Sequence, residues 1–174
     1  MEIWDLYTED RTKTGETHVR GNPIPKNRYH LVVQVWIKNS ENKYLISRRS
    51  KTKSTFPLKY EATAGSALKG EKSIEAAIRE TKEEVGINLD PSAGKLVFSE
   101  IRKEIDGMIF NDINDVWLFN YDGEVDLKNA TTDEVESVKW MTVDEIYELY
   151  RSGVTVSNRT ETFDKIVSLR NKNL

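Results

Sequence analysis

Residues 65–87, GSALKGEKSIEAAIRETKEEVGI, constrain the fold more than any other stretch, because they place two opposed demands on one helix. Ser73 is positioned to cap that helix by accepting a bond from a first-turn amide, and Gly86 to end it in the left-handed conformation. Between them Ile74, Ala77, Ile78, Thr81 and Val85 recur at helical spacing. Each residue turns by roughly 100°, so these side chains share one arc of about 100° that faces a core. Glu80, Glu83 and Glu84 fall on a separate arc, nearly opposite. Charge opposite an apolar stripe is commonly no more than a solvated face.

The position of these glutamates argues for more. They lie in the last two turns, where the helix dipole is negative and favours cations. Glu80 and Glu84 form a like-charged i,i+4 pair and Glu80 and Glu83 an i,i+3 pair, each costing roughly 0.2–0.5 kcal/mol in an isolated helix. Arg79, four residues before Glu83, is the local counter-charge, and Glu75 competes for it in the better orientation. No Lys or Arg stands four residues from Glu80 or Glu84. A hard divalent cation with oxygen ligands resolves the conflict.

The spacing then becomes informative. Gly65, five residues, Glu71, seven residues, Arg79-Glu80, Glu83-Glu84 and Gly86-Ile87 together resemble the signature of the Nudix hydrolases. At about 6% usage per fixed residue, the seven matches from Gly65 to Gly86 arise by chance on the order of 10⁻⁹ to 10⁻⁸ per start position. Thr81 departs from the aliphatic residue preferred there, and its methyl keeps the expected effect to a modest loss of packing. The resemblance implies an α/β fold, a Nudix-type α/β/α sandwich with a mixed sheet. It also implies Mg²⁺ or Mn²⁺ held by Glu80, Glu83, Glu84 and the backbone carbonyl of Gly65, with Arg79 keeping a signature glutamate in place. Glu71 is expected to order the loop.

Composition permits a soluble enzyme and excludes several other classes. The 174 residues suit one domain spanning 1–174, and a net charge of −3 with acids and bases interspersed advertises neither nucleic acid nor anionic membrane. No apolar run is long enough to span a bilayer, and Met1 is followed by Glu, Trp and Asp, which is not a secretory pattern. The absence of cysteine removes disulfides, thiolate metal sites and a cysteine nucleophile, and fits a cytoplasmic protein.

Along the chain, 2–7 and 16–20 flank a polar turn and predict an N-terminal β-hairpin. Strands are expected at 29–38, 43–49, 60–64, 96–104, 108–121 and 136–141. Thr142 to Glu145 forms a capping box that starts a helix running to Tyr150, with Gly153 as its stop, and a final amphipathic helix is expected at about 161–172. Mixed strands with helices at both ends predict helices on both faces of a sheet. The hairpin is free to extend the sheet, cover a pocket or pair with a second subunit, and a homodimer is compatible with the sequence but not derivable from it.

A second stretch, 48–57, supplies Arg48, Arg49, Lys51 and Lys53 with interleaved hydroxyls, of which Arg48, Arg49 and Lys53 are the candidates for gripping a diphosphate. An ordinary solvated loop is the competing reading. The run through residues 61–65, with Trp4-Asp5-Leu6-Tyr7 and Tyr29-His30-Leu31-Val32-Val33, is similar to the Nudix branch that includes isopentenyl-diphosphate isomerases and related hydrolases. The isomerase cysteine would fall at Ala64 and one histidine ligand at Ser66, while His30 and Asp115 fall at or near other ligand positions. A methyl group cannot exchange a proton, which disfavours isomerisation. His30 at the start of a strand reads first as a hydrogen-bonded structural residue.

The activity expected is therefore hydrolysis of a diphosphate linkage, in a small-molecule substrate of nucleoside diphosphate-X type, by water attacking phosphorus in line with the leaving group. Glu83, flanked by carboxylates, is the helix candidate for the base, and Asp133, Glu134 and Glu136 are loop alternatives. Trp36, Phe56, Phe110 and Trp117 are available to line a pocket for X, although Trp36 on its strand is better placed for the core. A non-catalytic nucleotide-binding regulator is a further alternative, weakened by the retention of every signature glutamate.

Overall fold

A computed structural model describes residues 1–105 and 108–169. Among these residues the strands are β1 (Ile3–Tyr7), β2 (Lys13–Val19), β3 (His30–Lys38), β4 (Tyr44–Arg49), β5 (Tyr60–Glu61), β6 (Thr63–Ser66), β7 (Gly94–Ile105), β8 (Met108–Asn120) and β9 (Val135–Met141). The helices are α1 (Ser73–Val85), α2 (Val143–Arg151) and α3 (Glu161–Ser168). The last residues of the expected final helix, 170–172, lie outside the described residues.

The sheet is mixed and splits into two halves. One half centres on β3, which pairs parallel with β8 and antiparallel with β6, while β7 closes antiparallel on β8. In the other half β4 pairs antiparallel with both β5 and β9. In the ladder the halves pair through β3 and β4 at Lys38 and Tyr44, and the chain crosses between them at Ala62, where β5 gives way to β6.

Alternation along β3 fills two cores. Leu31, Val33, Val35 and Ile37 face α1 and pack with Ala76, Ala77, Val85 and Phe119. Trp36 points to the opposite face, where Tyr44, Ile146, Phe163 and Ile166 enclose it under α2 and α3. Phe163 is fully buried, stacked on Trp36 at 4.9 Å and edge-on to Tyr44 at 5.5 Å, and burial of one such ring contributes about 2–3 kcal/mol. The result is an α/β/α sandwich. Trp36 is thereby a core residue.

The N-terminal hairpin is a separate two-stranded sheet and does not extend the main one. Its second strand starts earlier than expected, at Lys13, because Tyr7 pairs with Lys13 across a tight polar turn. The hairpin is tied down by a Tyr7–Tyr29 bridge, by Lys69 N–H donating to the Ile3 carbonyl at 2.8 Å, and by Trp4 stacked on His30 at 4.2 Å. Burial beneath that indole pushes the His30 pKa down to about 4, so the imidazole is neutral and structural. From the turn of the hairpin Arg11 clamps both oxygens of Asp115, which is fully buried. Burial works to raise the Asp115 pKa, but bonds from Arg11, Ser73 and Ser99 hold it below the ordinary value. Asp115 is committed to that clamp. No helix among the described residues is long and apolar enough to cross a membrane.

Candidate active site

Helix α1 presents its glutamates where the strand β6 passes beneath it. Gly65 makes this approach possible: a Cβ there would stand 2.0 Å from Glu80 Cδ, inside any permissible contact. Gly86 ends the helix at φ 74°, donating to the Lys82 carbonyl, as its position in the sequence predicts. The start of the helix differs from expectation. Lys72 is the capping position, and its N–H donates to the Glu75 carboxylate at 2.8 Å. Ser73 is instead the first helical residue, and its hydroxyl accepts from the Trp117 indole at 2.9 Å while bonding Asp115. That bond also commits Trp117 to the α1 face of the sheet. Thr81 satisfies its hydroxyl locally by donating to the Ala77 carbonyl at 2.8 Å.

Arg79 joins the loop to the helix. Its guanidinium donates to both oxygens of Glu71 at 2.8 and 2.9 Å, to Glu80 at 2.8 Å, to Glu83 at 2.9 Å and to the Ser66 carbonyl at 2.9 Å. Burial opposes its charge, yet the bonds to Glu71 and Glu80 hold its pKa above the usual arginine value. The expected competition from Glu75 is absent, because that carboxylate is engaged at the helix start. Glu71 also accepts from the Leu68 N–H at 2.8 Å, which fixes the loop. The helix spacing therefore understated the relief available: one planar fork serves three carboxylates and a carbonyl.

Glu84 has no such fork, although the charge of Lys53 works to lower its pKa. It is 6% exposed, and burial, then the charges of Glu61, Glu80 and Glu134, push its pKa well above the ordinary carboxylate range. Burial also raises Glu80, to about 7, against the pull of Arg79. Glu61, largely buried, is raised for the same reason although Arg49 binds it. Lys53 pairs with Glu134 at 2.5 Å. Glu80, Glu83, Glu84, Glu134, Arg49 and Lys53 line a pocket of about 180 Å³ together with Gly65 and Arg79, and Glu2 and Arg20 reach it from the hairpin.

Among the described residues no three carboxylate or imidazole groups converge closely enough to coordinate one ion as they stand. Arg79 holds an oxygen of each of Glu80 and Glu83. The residues nonetheless suit a divalent cation: the side chains that α1 offers are hard carboxylate donors, and Glu84 is a buried carboxyl among other acids that a cation would let ionise.

A second and larger cleft, of about 700 Å³, opens on the opposite face of the sheet from α1. Its floor includes Gln34, Ala62, Ala64 and Asn114, and Phe56, Tyr60, Phe110 and Tyr150 supply ring surface. Phe56 adopts a left-handed backbone, φ 50°, a strain of about 1–3 kcal/mol for a bulky residue. Both cavities include Ala64, and Glu61, which lines the cleft, acts electrostatically on Glu84 in the acidic pocket.

Of the residues singled out in the sequence, Gly65, Arg79, Glu80, Glu83, Glu84, Arg49 and Lys53 are gathered around one pocket. Arg48 is not among them. Its Nε donates to the Leu58 carbonyl at 3.3 Å, and its guanidinium lies 3.4 Å from Glu136 and over the Tyr60 ring. Of the loop acids Glu134 lines the pocket, Glu136 faces Arg48, and Asp133 lines neither cavity. Phe56 and Phe110 line the cleft, whereas Trp36 and Trp117 do not. Glu61, Gln34, Asn114 and Arg102 were not singled out. For Glu61 the sequence signal is an acid followed by the small residues Ala62, Thr63 and Ala64 beside the signature glycine.

The site is thus an acidic helix set against a glycine strand, with a cleft behind it, on an α/β/α sandwich. A NUDIX domain is matched over residues 28–159, and the chain belongs to the Nudix family. It is 37% identical to an uncharacterised Nudix hydrolase of Listeria monocytogenes over 154 residues, 88% of this chain and 87% of that protein. It is 30% identical to an isopentenyl-diphosphate Delta-isomerase of Cutibacterium acnes over 71% of this chain and 65% of that protein. A crystal structure of a Deinococcus radiodurans protein shares the fold at TM-score 0.72 and 22% identity, covering 94% of this chain and 97% of that one. Family and fold together support a hydrolase acting on pyrophosphate bonds.

Proposed function

We propose that the chain, as a single Nudix domain, hydrolyses the diphosphate linkage of a nucleoside diphosphate-X type substrate with Mg²⁺ or Mn²⁺ as cofactor. The observation that carries this reading is the adjacency of two unlike cavities, an acidic pocket of about 180 Å³ and a part-apolar cleft of about 700 Å³ meeting at Ala64. That pairing suits a compact charged diphosphate joined to a bulkier organic group.

Glu80, Glu83 and Glu84, with the Gly65 carbonyl, are assigned to hold the cation, which when bound neutralises charge developing on the phosphates and acidifies water. Glu83 is the assigned base, since it lines the pocket and holds one oxygen on Arg79, with Glu134 as the loop alternative. Arg79 is a positioning residue, setting Glu80 and Glu83 relative to the Glu71 loop. Arg49 and Lys53 are assigned to the phosphates, exchanging Glu61 and Glu134 for phosphate oxygens. Water attacks phosphorus in line with the departing group, so positioning and electrostatics supply most of the rate. Ala64 offers only a methyl to the cleft, which stands against proton exchange of the isomerase kind.

The test is a turnover panel. Nucleoside diphosphates, nucleotide sugars, nucleoside triphosphates and small organic diphosphates are incubated with Mg²⁺ or Mn²⁺, and phosphate release is followed after phosphatase coupling. Metal-dependent cleavage of a nucleoside diphosphate-X compound is expected. Nucleotide binding without turnover would favour a regulator, and isomerisation of isopentenyl diphosphate would favour the other enzyme class. Gly65→Ala gives a sharper check on geometry. The added methyl collides with the end of the Glu80 side chain. A movable side chain yields before the backbone does. Turnover is expected to fall at least tenfold with the melting temperature nearly unchanged; full activity would show that the placement of Glu80 does not matter.

A further inference from the structure

Asn114 is 1% exposed on the floor of the larger cleft, beside Val32 across the β3–β8 ladder. Its Nδ2 donates to Glu100 Oε1 at 3.3 Å. A carboxylate only accepts, so this bond fixes which way the amide faces. Its Oδ1 is left as a buried acceptor that no donor among the described residues reaches. Buried polar atoms are nearly always satisfied, and this acceptor, which has essentially no accessible surface, meets a donor from the cleft when a side chain over it moves aside.

The surroundings restrict that donor. Ala62 and Ala64 give the floor a low apolar surface. Arg102, pinned by Asp112 at 2.7 and 2.8 Å, lies over the Phe110 ring at 5.1 Å and makes a planar, rigid wall. Tyr60 and Tyr150 add further ring surface. Flat walls suit a flat occupant, and an acceptor at the floor suits an N–H on its edge.

We propose that Asn114 is a specificity-determining residue that reads a ring N–H of a nucleobase seated in this cleft. The inference rests on reading the cleft as the nucleoside side of the substrate. Nucleobase-bearing compounds are bound through Asn114, and base-free phosphosugars lack that contact.

Calorimetric titration of the metal-free protein with the four ribonucleoside 5′-monophosphates, and with ribose 5-phosphate, decides the matter. At least one nucleotide is expected to bind at least tenfold tighter than ribose 5-phosphate. Asn114→Leu, which keeps the volume and removes the acceptor, is expected to abolish that advantage and leave ribose 5-phosphate unchanged. Asn114→Ala carries the same expectation should the leucine variant not fold. Equal binding of nucleotides and ribose 5-phosphate overturns the proposal, as does an advantage that survives the substitution, a loss shared by ribose 5-phosphate, or no nucleotide binding at millimolar concentration. The measurement needs neither metal nor turnover. Base preference through Asn114 in a protein inactive on every diphosphate would therefore sink the hydrolase reading alone, and an active hydrolase without that preference would sink only this one.

Discussion

Glu84→Gln is expected to lower turnover at least a hundredfold while stabilising the metal-free protein. The two effects have one cause. Glu84 is almost fully buried, and Glu61, Glu80 and Glu134 surround it with like charge. Its ionised form is therefore unfavourable in the empty fold and useful only when a cation shares the pocket. Glutamine keeps the shape and removes the charge, so the strain disappears together with one of the carboxylates proposed to hold the cation. A hundredfold loss corresponds to about 2.7 kcal/mol of barrier. Each kcal/mol of relief raises the melting temperature by about 2–4 °C in a chain of this size. Glu83→Gln is expected to lower turnover at least tenfold without comparable stabilisation, because Glu83 is more exposed and already bonded to Arg79. Steady-state kinetics and melting curves on the same preparations provide the check. Unchanged rates in both variants would remove α1 from the mechanism.

What was legible in the sequence was local. The two arcs of α1, its glycine stop and the clustered glutamates follow from helical geometry, and the order of strands and helices predicts helices on both faces of a mixed sheet. What was not legible depends on residues far apart in the chain. Ser73 has the right identity for a cap, but Trp117 and Asp115 engage its hydroxyl. Counting i,i+4 neighbours credits Arg79 with Glu83 and Glu75, whereas the folded loop brings it Glu71 and the Ser66 carbonyl instead of Glu75. Asp115 resembles a ligand position until Arg11, more than a hundred residues away, is seen to clamp it. Nor is the cleft visible in one dimension, since β3, the β5–β6 crossing, the β7–β8 hairpin and residues 155–162 each contribute one side. Arg48 and Arg49 are adjacent, yet β-strand alternation sends only Arg49 into the acidic pocket.

A divalent cation is expected to stabilise the protein increasingly as pH rises. Glu80 has its pKa raised to about 7 by burial, against an ordinary value of 4.5. Below the ordinary value folded and unfolded chains are both protonated there, and no penalty exists. Between 4.5 and about 7 the folded chain retains a proton that the unfolded chain has lost, so stability falls as pH rises. Above that range the full penalty is present, about 3 kcal/mol for Glu80. Glu84 and Glu61, also raised by burial, act in the same direction. His30, pushed down to about 4, acts oppositely below pH 6.5, which makes the alkaline side the cleaner window. A cation bound only by the folded chain adds about 2.7 kcal/mol at a hundred times its dissociation constant. The most direct measurement is the melting temperature at about pH 8, with excess Mg²⁺ and with chelator, for the wild type and for Glu84→Gln. A rise of several degrees in the wild type that largely vanishes in the variant is predicted. Identical melting with and without the ion in the wild type would contradict a cation site at α1.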